Sequence, residues 1–530
     1  MIMLASSLLF ISIPLSLAVA GWWSQQASKE KVGTRLFRLS LALSAVYLAA
    51  VALRPTVSIN MPFEHYISFS NLSVIMLGLV LFMALILIKF SHNYMAGEAR
   101  VGFYWRWLLN TLAAVTLVLI SNHLVLFWLG WVAISLSLHK LLTFYPDRPR
   151  AALAAHKKFL LARLAELFLL GAFVLLYQQH GTLFIDALLA HFYQVKSDSA
   201  IALTTLDHMA GVLIALAALI KCAQLPVHGW LMQVVEAPTP ISALLHAGVI
   251  NLGGVLLILF APLFAQVPLA QWLVLVVAGL TTVICALIMA TRISVKVRLA
   301  WSTSAQMGLM LLQCALGLFE LALLHLIAHS AYKAYAFLNS GNAVNEDMQR
   351  RLAPSKNPSR LDWLLAGIFA MAFVFIAVTA LGYQGVWSIW VLLIAALTLL
   401  IAQRSGINNK TNLLTILGLA ALVVISYSLM KTLIAQLIPL SSGLSVAALS
   451  AADIWVAALF ISLFVMSCLL RYQGHKAAMQ RISIALYAGL YLDEWLTRLT
   501  LKLWPVRLPH RANIKVLEAD QENNLKELYQ

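Results

Sequence analysis

Apolar segments long enough to cross a lipid bilayer recur along the whole chain, and they constrain the fold more than any other feature. Because lipid cannot satisfy backbone polar groups, an open chain crosses it as helices. At about 20 residues for each crossing, the sequence predicts an all-α polytopic membrane protein with about fifteen transmembrane helices. The predicted spans are 2–23, 36–53, 72–90, 107–121, 124–142, 159–177, 209–226, 240–262, 268–290, 299–318, 320–340, 361–381, 386–403, 412–438 and 454–470.

Composition excludes other classes of protein. Hydrophobic residues make up 62% of the 530 residues and charged residues 11%, whereas soluble domains are about 45–50% apolar and about 25% charged. The 4 cysteines lie in apolar segments and show no disulfide or metal-ligand spacing. No nucleophile–base pair, phosphate-binding loop or dinucleotide motif occurs. The sequence therefore predicts a transport or energy-coupling subunit with no catalytic residues, no metal and no cofactor of its own.

The net charge of +16 is concentrated in alternate loops, which predicts topology and not nucleic-acid binding. The odd-numbered loops carry most of the basic residues: Lys29, Lys31, Arg35, Arg38, Arg100, Arg106, Lys140, Arg148, Arg150, Lys157, Lys158, Arg292, Lys296, Arg298, Arg350, Arg351, Lys356, Arg360, Arg404 and Lys410. By the positive-inside rule, the N-terminus lies outside and the C-terminus in the cytoplasm of a bacterial inner membrane. The seventh loop is the exception, because it has no Lys or Arg.

The chain divides into four predicted regions. Residues 1–106 form N-terminal transmembrane helices, 107–345 a core that holds ionisable residues, 346–470 C-terminal transmembrane helices, and 471–530 a cytoplasmic amphipathic segment and tail. Within the last region, residues 481–505 mix Leu, Tyr and Trp with charges. This segment either lies on the membrane surface or docks a partner subunit.

Lys221 is the strongest functional candidate, because charges at membrane depth are costly and tend to be functional. The alternative is a lysine that extends from a helix end to the headgroups. Apolar residues continue past Pro226, however, which places Lys221 in the middle of a helix from 209 to 235. We expect Pro226 to break this helix and to free backbone carbonyls near the lysine, as in ion sites of transporters.

Other ionisable residues accompany Lys221. His325, His329 and Lys333 are spaced by four residues, so they share one helix face and are predicted to form a proton relay. The two histidines are also spaced to hold a metal, but no carboxylate or cysteine joins them. His246 is either a member of the relay or a packed histidine.

Two acidic residues complete the predicted ion path. Glu166 forms either a local ion pair with Arg163 or the counter-charge to Lys221, and we favour the second. Glu236 precedes Pro238 and Pro240, which are further predicted helix breaks, and is predicted to lie at the mouth of the path.

Three segments resemble the antiporter-like proton-translocating subunits, which include the L-type subunit of respiratory complex I and the large Mrp antiporter subunit. The segments are KCAQLPVHGWLMQVVEAPTPISALLHAGVI (221–250), VKVRLAWSTSAQMGLM (295–310) and LHLIAHSAYKAYAFLNSG (324–341). The resemblance covers roughly residues 60–345. It implies a bundle of inverted repeats, a broken seventh helix and a hydrated polar chain, in which Lys221, Glu166, His246 and Lys333 match the family's ionisable positions.

Two departures from that pattern limit which members of the family the chain resembles. The family's fifth-helix glutamate has no counterpart in FWLGWVAISLS (127–137), and the twelfth span has no charge inside it. A shortened member of this kind resembles DabB, the membrane subunit family of an inorganic-carbon accumulation complex. That resemblance implies a zinc-bearing, carbonic-anhydrase-like DabA partner, driven by protons or sodium ions that flow through this chain.

Two other functions stay open. One is a proton-translocating subunit of a complex I-like NADH-quinone oxidoreductase or of an Mrp-type Na⁺/H⁺ antiporter. The other is a structural membrane anchor with a vestigial site.

Overall fold

The computed structural model describes residues 2–25, 29–53, 64–197, 202–352, 358–383, 385–402, 410–437 and 447–505. Within these ranges the chain is helical, with two isolated β-bridges, Ile67–Ser121 and His123–Phe184. The tail residues 506–530 and the predicted loop residues Lys356 and Arg404 lie outside them. The helices are α1 (Ile2–Ser24), α2 (Lys29–Ala52), α3 (Asn71–Tyr94), α4 (Val101–Ile120), α5 (Leu124–Leu142), α6 (Pro149–His180), α7 (Ile185–Ser197), α8 (Thr205–Lys221), α9 (Gly229–Gln233), α10 (Thr239–Ala247), α11 (Leu252–Leu259), α12 (Ala261–Phe264), α13 (Pro268–Ala290), α14 (Val295–Ala315), α15 (Phe319–Leu338), α16 (Ala343–Leu352), α17 (Arg360–Ala380), α18 (Ser388–Ala402), α19 (Lys410–Leu437), α20 (Ala451–Tyr472), α21 (Ala477–Tyr487) and α22 (Glu494–Leu503).

The predicted fold class is confirmed. Among the described residues, 12 helices are long and apolar enough to cross a membrane. The remaining predicted spans correspond to α8, α14 and α18, which are shorter or carry more polar residues. Every predicted span therefore overlaps at least one helix, although the predicted boundaries differ from the observed ones.

Side-chain caps explain where several of these helices begin. Thr204 and Asp207 form a capping box at α8, and Ser359 and Asp362 form another at α17. Each serine or threonine accepts a hydrogen bond from the amide three residues later, which the helix itself leaves without a partner. A polar cap thus fixes the end of an otherwise apolar segment.

The loops alternate between two ends of the bundle, as the charge pattern predicts. One end, which we call the basic end, is joined by side-chain hydrogen bonds between residues in or beside successive odd-numbered loops: Arg106–Gln25, Arg100–Phe144, Arg148–Glu236 and Lys296–Thr239. Also at this end, Tyr145 donates to Glu98 over 2.9 Å, and burial together with this carboxylate raises the pKa of Tyr145 to about 12. At the opposite end, Asn122 bonds His65 and the Asp186 amide.

The seventh predicted span is broken, but not where Pro226 alone would break it. The helix α8 ends at Lys221, seven non-helical residues follow, and α9 begins at Gly229. Lys221 is therefore the last residue of α8 and does not lie in mid-helix. Ala223 adopts a left-handed conformation with φ of 50°, which turns the chain before Pro226 is reached.

Side chains of neighbouring helices satisfy the backbone in this break. The Ser304 hydroxyl donates to the Ala223 carbonyl over 3.2 Å, and the Leu225 amide donates to the Thr281 hydroxyl over 3.1 Å. Gln224 donates to the Cys222 carbonyl over 2.8 Å. Irregular backbone at membrane depth is tolerated only with such protein partners.

The eighth predicted span is also interrupted, so the expectation of one continuous helix over 240–262 was wrong. Gly248, with φ of −127° and ψ of −74°, separates α10 from a 3₁₀ turn at Val249–Asn251 that leads into α11. The Asn251 amide bridges the gap by donating to the Ala247 carbonyl and to Ser330. Pro238 and Pro240 lie at the N-terminus of α10, where proline starts a helix and does not break it.

The C-terminal segment folds back onto its own chain. The ammonium of Lys157 in α6 lies 2.6 Å from the Asp493 carboxylate and 2.6 Å from the Thr497 hydroxyl. The Trp504 ring stacks on His156 with centroids 3.8 Å apart. One face of residues 481–505 is therefore occupied within the chain, which neither predicted location had included.

A glycine at the first broken helix allows the close packing there. A Cβ at Gly253 of α11 would lie 2.5 Å from the Cys222 sulfur and 2.7 Å from the Ala218 carbonyl oxygen. At Gly367, in α17, a Cβ would meet nothing within 4 Å. Both glycines lie in helices, but only Gly367 has room for a Cβ atom.

We expect Gly253→Ala to destabilise the protein by about 1–3 kcal/mol, because overpacking forces backbone shifts. The matched control Gly367→Ala should be neutral or stabilising by about 0.5–1 kcal/mol, since alanine is the better helix former. Thermal unfolding of the purified full-length protein in nanodiscs measures both. Equal stability of the two variants would contradict the packing at Cys222.

Candidate functional site

Lys221 ends α8 beside a small buried cavity. Its ammonium lies 4.4 Å from the centroid of the Trp131 ring in α5, within the range of a cation–π contact. The cavity is also lined by Lys158 of α6 and Trp230 of α9. Its volume of about 20 Å³ is enough for one water molecule. Two lysines thus face one enclosed space at the break.

Lys158 is a site residue that the sequence analysis placed in a loop. The helix α6 begins at Pro149, well before the apolar segment, so Lys157 and Lys158 are helical and buried. Lys158 donates to the Ser135 carbonyl over 2.7 Å and approaches its hydroxyl at 3.3 Å. The alanine-rich stretch from Ala151 to Ala155, a good helix former, was the available signal.

Glu166 pairs with its neighbour on the helix. Its carboxylate accepts from Arg163 over 2.8 Å, which is the local ion pair that the sequence left as one of two possibilities. Arg163 also donates to the Ser135 hydroxyl over 2.8 Å. Ser135 therefore connects the Arg163–Glu166 pair to Lys158, and through the cavity to Lys221.

His246, through the Thr303 hydroxyl, and Lys333 directly are both connected to one backbone carbonyl. His246 is fully buried, and its Nδ1 lies 3.1 Å from the Thr303 hydroxyl. Thr303 donates to the Leu299 carbonyl over 2.9 Å, and Lys333 donates to the same carbonyl over 3.1 Å. Because the hydroxyl proton is used in that bond, Thr303 accepts from His246, which assigns the proton to Nδ1.

The predicted histidine face turns toward α14. The ring nitrogens of His325 lie 3.1 Å from the Gln313 amide oxygen and 2.9 Å from that of Gln306. The His329 ring lies 6.0 Å from that of His325 and is buried. Within the described ranges, neither ring nitrogen of His329 has a hydrogen-bond partner. The structure thus brings His325, His329 and Lys333 onto one side of α15.

The seventh loop has no Lys or Arg of its own, but basic residues of neighbouring loops donate hydrogen bonds to it. Arg148 donates to the Glu236 carbonyl over 3.4 Å, and Lys296 donates to the Thr239 hydroxyl over 2.8 Å. Glu236 therefore lies at the basic end, close to the start of α10. In the part of the chain that the structure describes, no three His, Cys, Asp or Glu residues cluster to hold a metal ion.

Comparisons with known proteins identify the family of this chain. The family described as "NADH:quinone oxidoreductase/Mrp antiporter, TM" matches residues 121–360. A probable inorganic carbon transporter subunit DabB of Hydrogenovibrio crunogenus is 51% identical over 462 residues, which are 86% of this chain and 87% of that protein. The chain belongs to the DabB family. DabB2 of Halothiobacillus neapolitanus is 34% identical over 83% of this chain and 81% of its own length.

Likeness to solved structures extends to the whole fold. The Mrp complex of Dietzia sp. contains a chain with a TM-score of 0.60 and 19% identity, covering 97% of this chain and 61% of that one. Among sequence relatives, NADH-quinone oxidoreductase subunit L of Mycobacterium tuberculosis is 34% identical over 49% of this chain and 41% of that protein. This DabB family member is thus a multi-pass membrane protein with the antiporter-like fold.

Thr303→Val tests the hydrogen-bonded group around His246. The substitution keeps the shape but leaves the Nδ1 proton of His246 buried without an acceptor, which costs about 1–3 kcal/mol. Thr398→Val in α18 is the matched control, because Thr398 is also nearly buried and also bonds the carbonyl four residues earlier. We expect thermal unfolding to separate the two variants. If both lose the same stability, Thr303 does not bond His246.

Proposed function

We propose that this protein is the proton-translocating membrane subunit of an inorganic-carbon accumulation complex, which drives a zinc-bearing, carbonic-anhydrase-like partner. The observation that carries the proposal is a series of buried and half-buried protonatable side chains around two interrupted helices, in a member of the DabB family. Buried ionisable groups in transmembrane bundles ordinarily mark ion pathways. The charge pattern supports a bacterial inner membrane with the basic end in the cytoplasm.

The proposed path has two connected parts. Lys333, His329, His325 and His246 form the part between α15, α14 and α10, and Lys221 with Glu166 forms the part at the break of α8. Several buried polar atoms between and beside them have no protein partner within the described ranges, among them His246 Nε2, both ring nitrogens of His329, Asn251 Oδ1 and Gln224 Oε1. Such atoms ordinarily bond ordered water, so they support transfer along a hydrated chain.

The charges around Lys221 favour protons over sodium ions. Lys221 and Lys158 line one cavity, and the nearby carboxylate of Glu166 is already paired with Arg163. A sodium ion needs several oxygen ligands and would be repelled by the surplus positive charge. A proton needs only a neutral amine or imidazole to accept it.

Proton flow supplies enough energy for one-way chemistry. One charge that crosses the membrane gains about 2.3 kcal/mol per 100 mV, and about 1.4 kcal/mol changes an equilibrium tenfold. Hydration of CO₂ to bicarbonate in the partner would thereby be biased by more than tenfold in one direction. The zinc chemistry would belong to the partner.

The alternative function is a subunit of a complex I-like oxidoreductase or an Mrp-type antiporter. The partial identity to subunit L and the fold of the Mrp complex favour it. Trp131 and its neighbours supply no acid in α5, however, and the interior of α17 carries no charge. Gene neighbourhood separates the two, since a DabA-like gene supports the first proposal and a series of complex I or Mrp genes the second.

Lys221→Ala should abolish carbon uptake, to about a tenth of the wild-type rate or less, because it removes the central proton carrier. Assembly should be unchanged, since the ammonium forms no ion pair that the rest of the fold needs. Growth in air of a carbonic-anhydrase-deficient strain that expresses the complex measures uptake, and membrane abundance reports assembly. The control is Lys140→Ala, an exposed lysine in α5.

The same assay decides against a structural anchor. We expect His246→Ala and Lys333→Ala to reduce growth as well, since each interrupts the other part of the path. Full growth with all three variants would favour a membrane anchor with a vestigial site.

A further inference from the structure

We propose that Asp493 is a positioning residue that holds the basic-end side of the ion path closed, by fixing α9 against α6. The inference rests on the proposed proton translocation. Asp493 lies 336 residues from Lys157 in the sequence, and the C-terminal segment carries it to the broken helix.

Three elements meet at the Asp493 carboxylate. Its Oδ2 atom lies 2.6 Å from the Lys157 ammonium of α6 and accepts from Gln233 at the end of α9 over 3.4 Å. A Cβ at Gly229, the first residue of α9, would overlap the carboxylate group. One side chain from before α22 therefore contacts both ends of α9 and joins it to α6.

The local backbone is shaped to deliver this carboxylate. Leu490 and Tyr491 adopt left-handed conformations, with φ of 54° and 56°. Two consecutive left-handed residues that are not glycine are strained, and they persist only where the surroundings hold them. The turn directs Asp493 inward and starts α22, whose Leu496 and Thr500 are buried.

The ion pair is poorly suited to be a stabilising device alone. Lys157 is fully buried, and apolar side chains in place of a buried ion pair are often equally stable. The next residue, Lys158, extends on another face of α6 into the cavity of Lys221. Adjacent residues of one helix thus connect the Lys221 cavity to the Asp493 contact.

Polar atoms at both ends of α9 give a second observation. Among the described residues, Asp493 Oδ1, Gln233 Oε1 and His228 Nδ1 are buried without hydrogen-bond partners. Each can bond water when α9 moves. Asp493 therefore lies among polar atoms that the closed arrangement leaves without partners. Loss of its charge leaves Lys157 buried without an ion-pair partner, which favours separation of α9 from α6.

Asp493→Asn tests the inference in proteoliposomes that contain the full-length chain, with a pH-sensitive dye inside and an imposed potassium diffusion potential. We expect proton leak to rise at least about tenfold, which corresponds to about 1.4 kcal/mol against the closed arrangement. The leak should disappear in the double variant with Lys221→Ala, because the protons still pass that lysine. Asp493→Glu should restore the wild-type leak.

Glu494→Gln is the matched control. This neighbouring carboxylate is exposed and lies 3.7 Å from the exposed Arg498 on the same helix, so its loss should leave proton leak unchanged. Exchange of the charges in Lys157→Asp with Asp493→Lys should lower the leak below that of Asp493→Asn.

Each contrary outcome has a distinct meaning. If the wild type shows Lys221-dependent flux and Asp493→Asn leaks no more than the wild type, the positioning role is wrong and the proposed function stands. A raised leak that survives Lys221→Ala reflects local unfolding and overturns the positioning role. If no protein conducts protons, including the wild type with its co-expressed partner, translocation itself fails and the inference fails with it.

Discussion

The requirement that every buried backbone group find a partner inside the protein governs this structure. A lipid-embedded helix can stop at Lys221 only because α13 and α14 present hydroxyl groups to the residues that follow. The interruption at Gly248 is likewise bridged by Asn251. Both interrupted helices lie against α14, through Ser304 and Thr303, so the ionisable residues they carry are brought to one region of the bundle.

The polar stripe of α14 provides most of these partners. Thr303, Gln306 and Gln313 lie at helical spacing, and they bond His246 and His325. The Leu299 backbone carbonyl on the same helix accepts from Lys333. This stripe lowers the hydropathy of α14, which explains why a helix of 21 residues is absent from the 12 that qualify as spans by composition. The helix that organises the candidate path is thus one of the least membrane-like by its sequence.

The sequence predicted what depends on local pattern. Length and hydropathy placed every span, and Pro226 marked the seventh as broken. The position of the break depends on the left-handed conformation of Ala223, which its residue type does not predict. The interruption of the eighth span has no proline to mark it. The charge pattern placed Lys157 in a loop. Its partner, Asp493, lies far away in the chain, so the sequence could not show that this lysine is buried and paired once the C-terminal segment folds back.

In the proposed path, the tryptophan beside Lys221 limits the directions in which a proton can leave that lysine. A ring face attracts an ammonium by about 0.5–2 kcal/mol, but unlike a carboxylate it cannot accept the proton. The antiporter-like pattern that this sequence resembles has a glutamate on the fifth helix. With Trp131 in that neighbourhood, α5 offers no carboxylate to a proton on Lys221. In the proposed path the proton leaves past Lys158 of α6, or along the break toward α14. In the proposed path the route past Lys158 thus leads toward the basic end, where the adjacent Lys157 contacts Asp493.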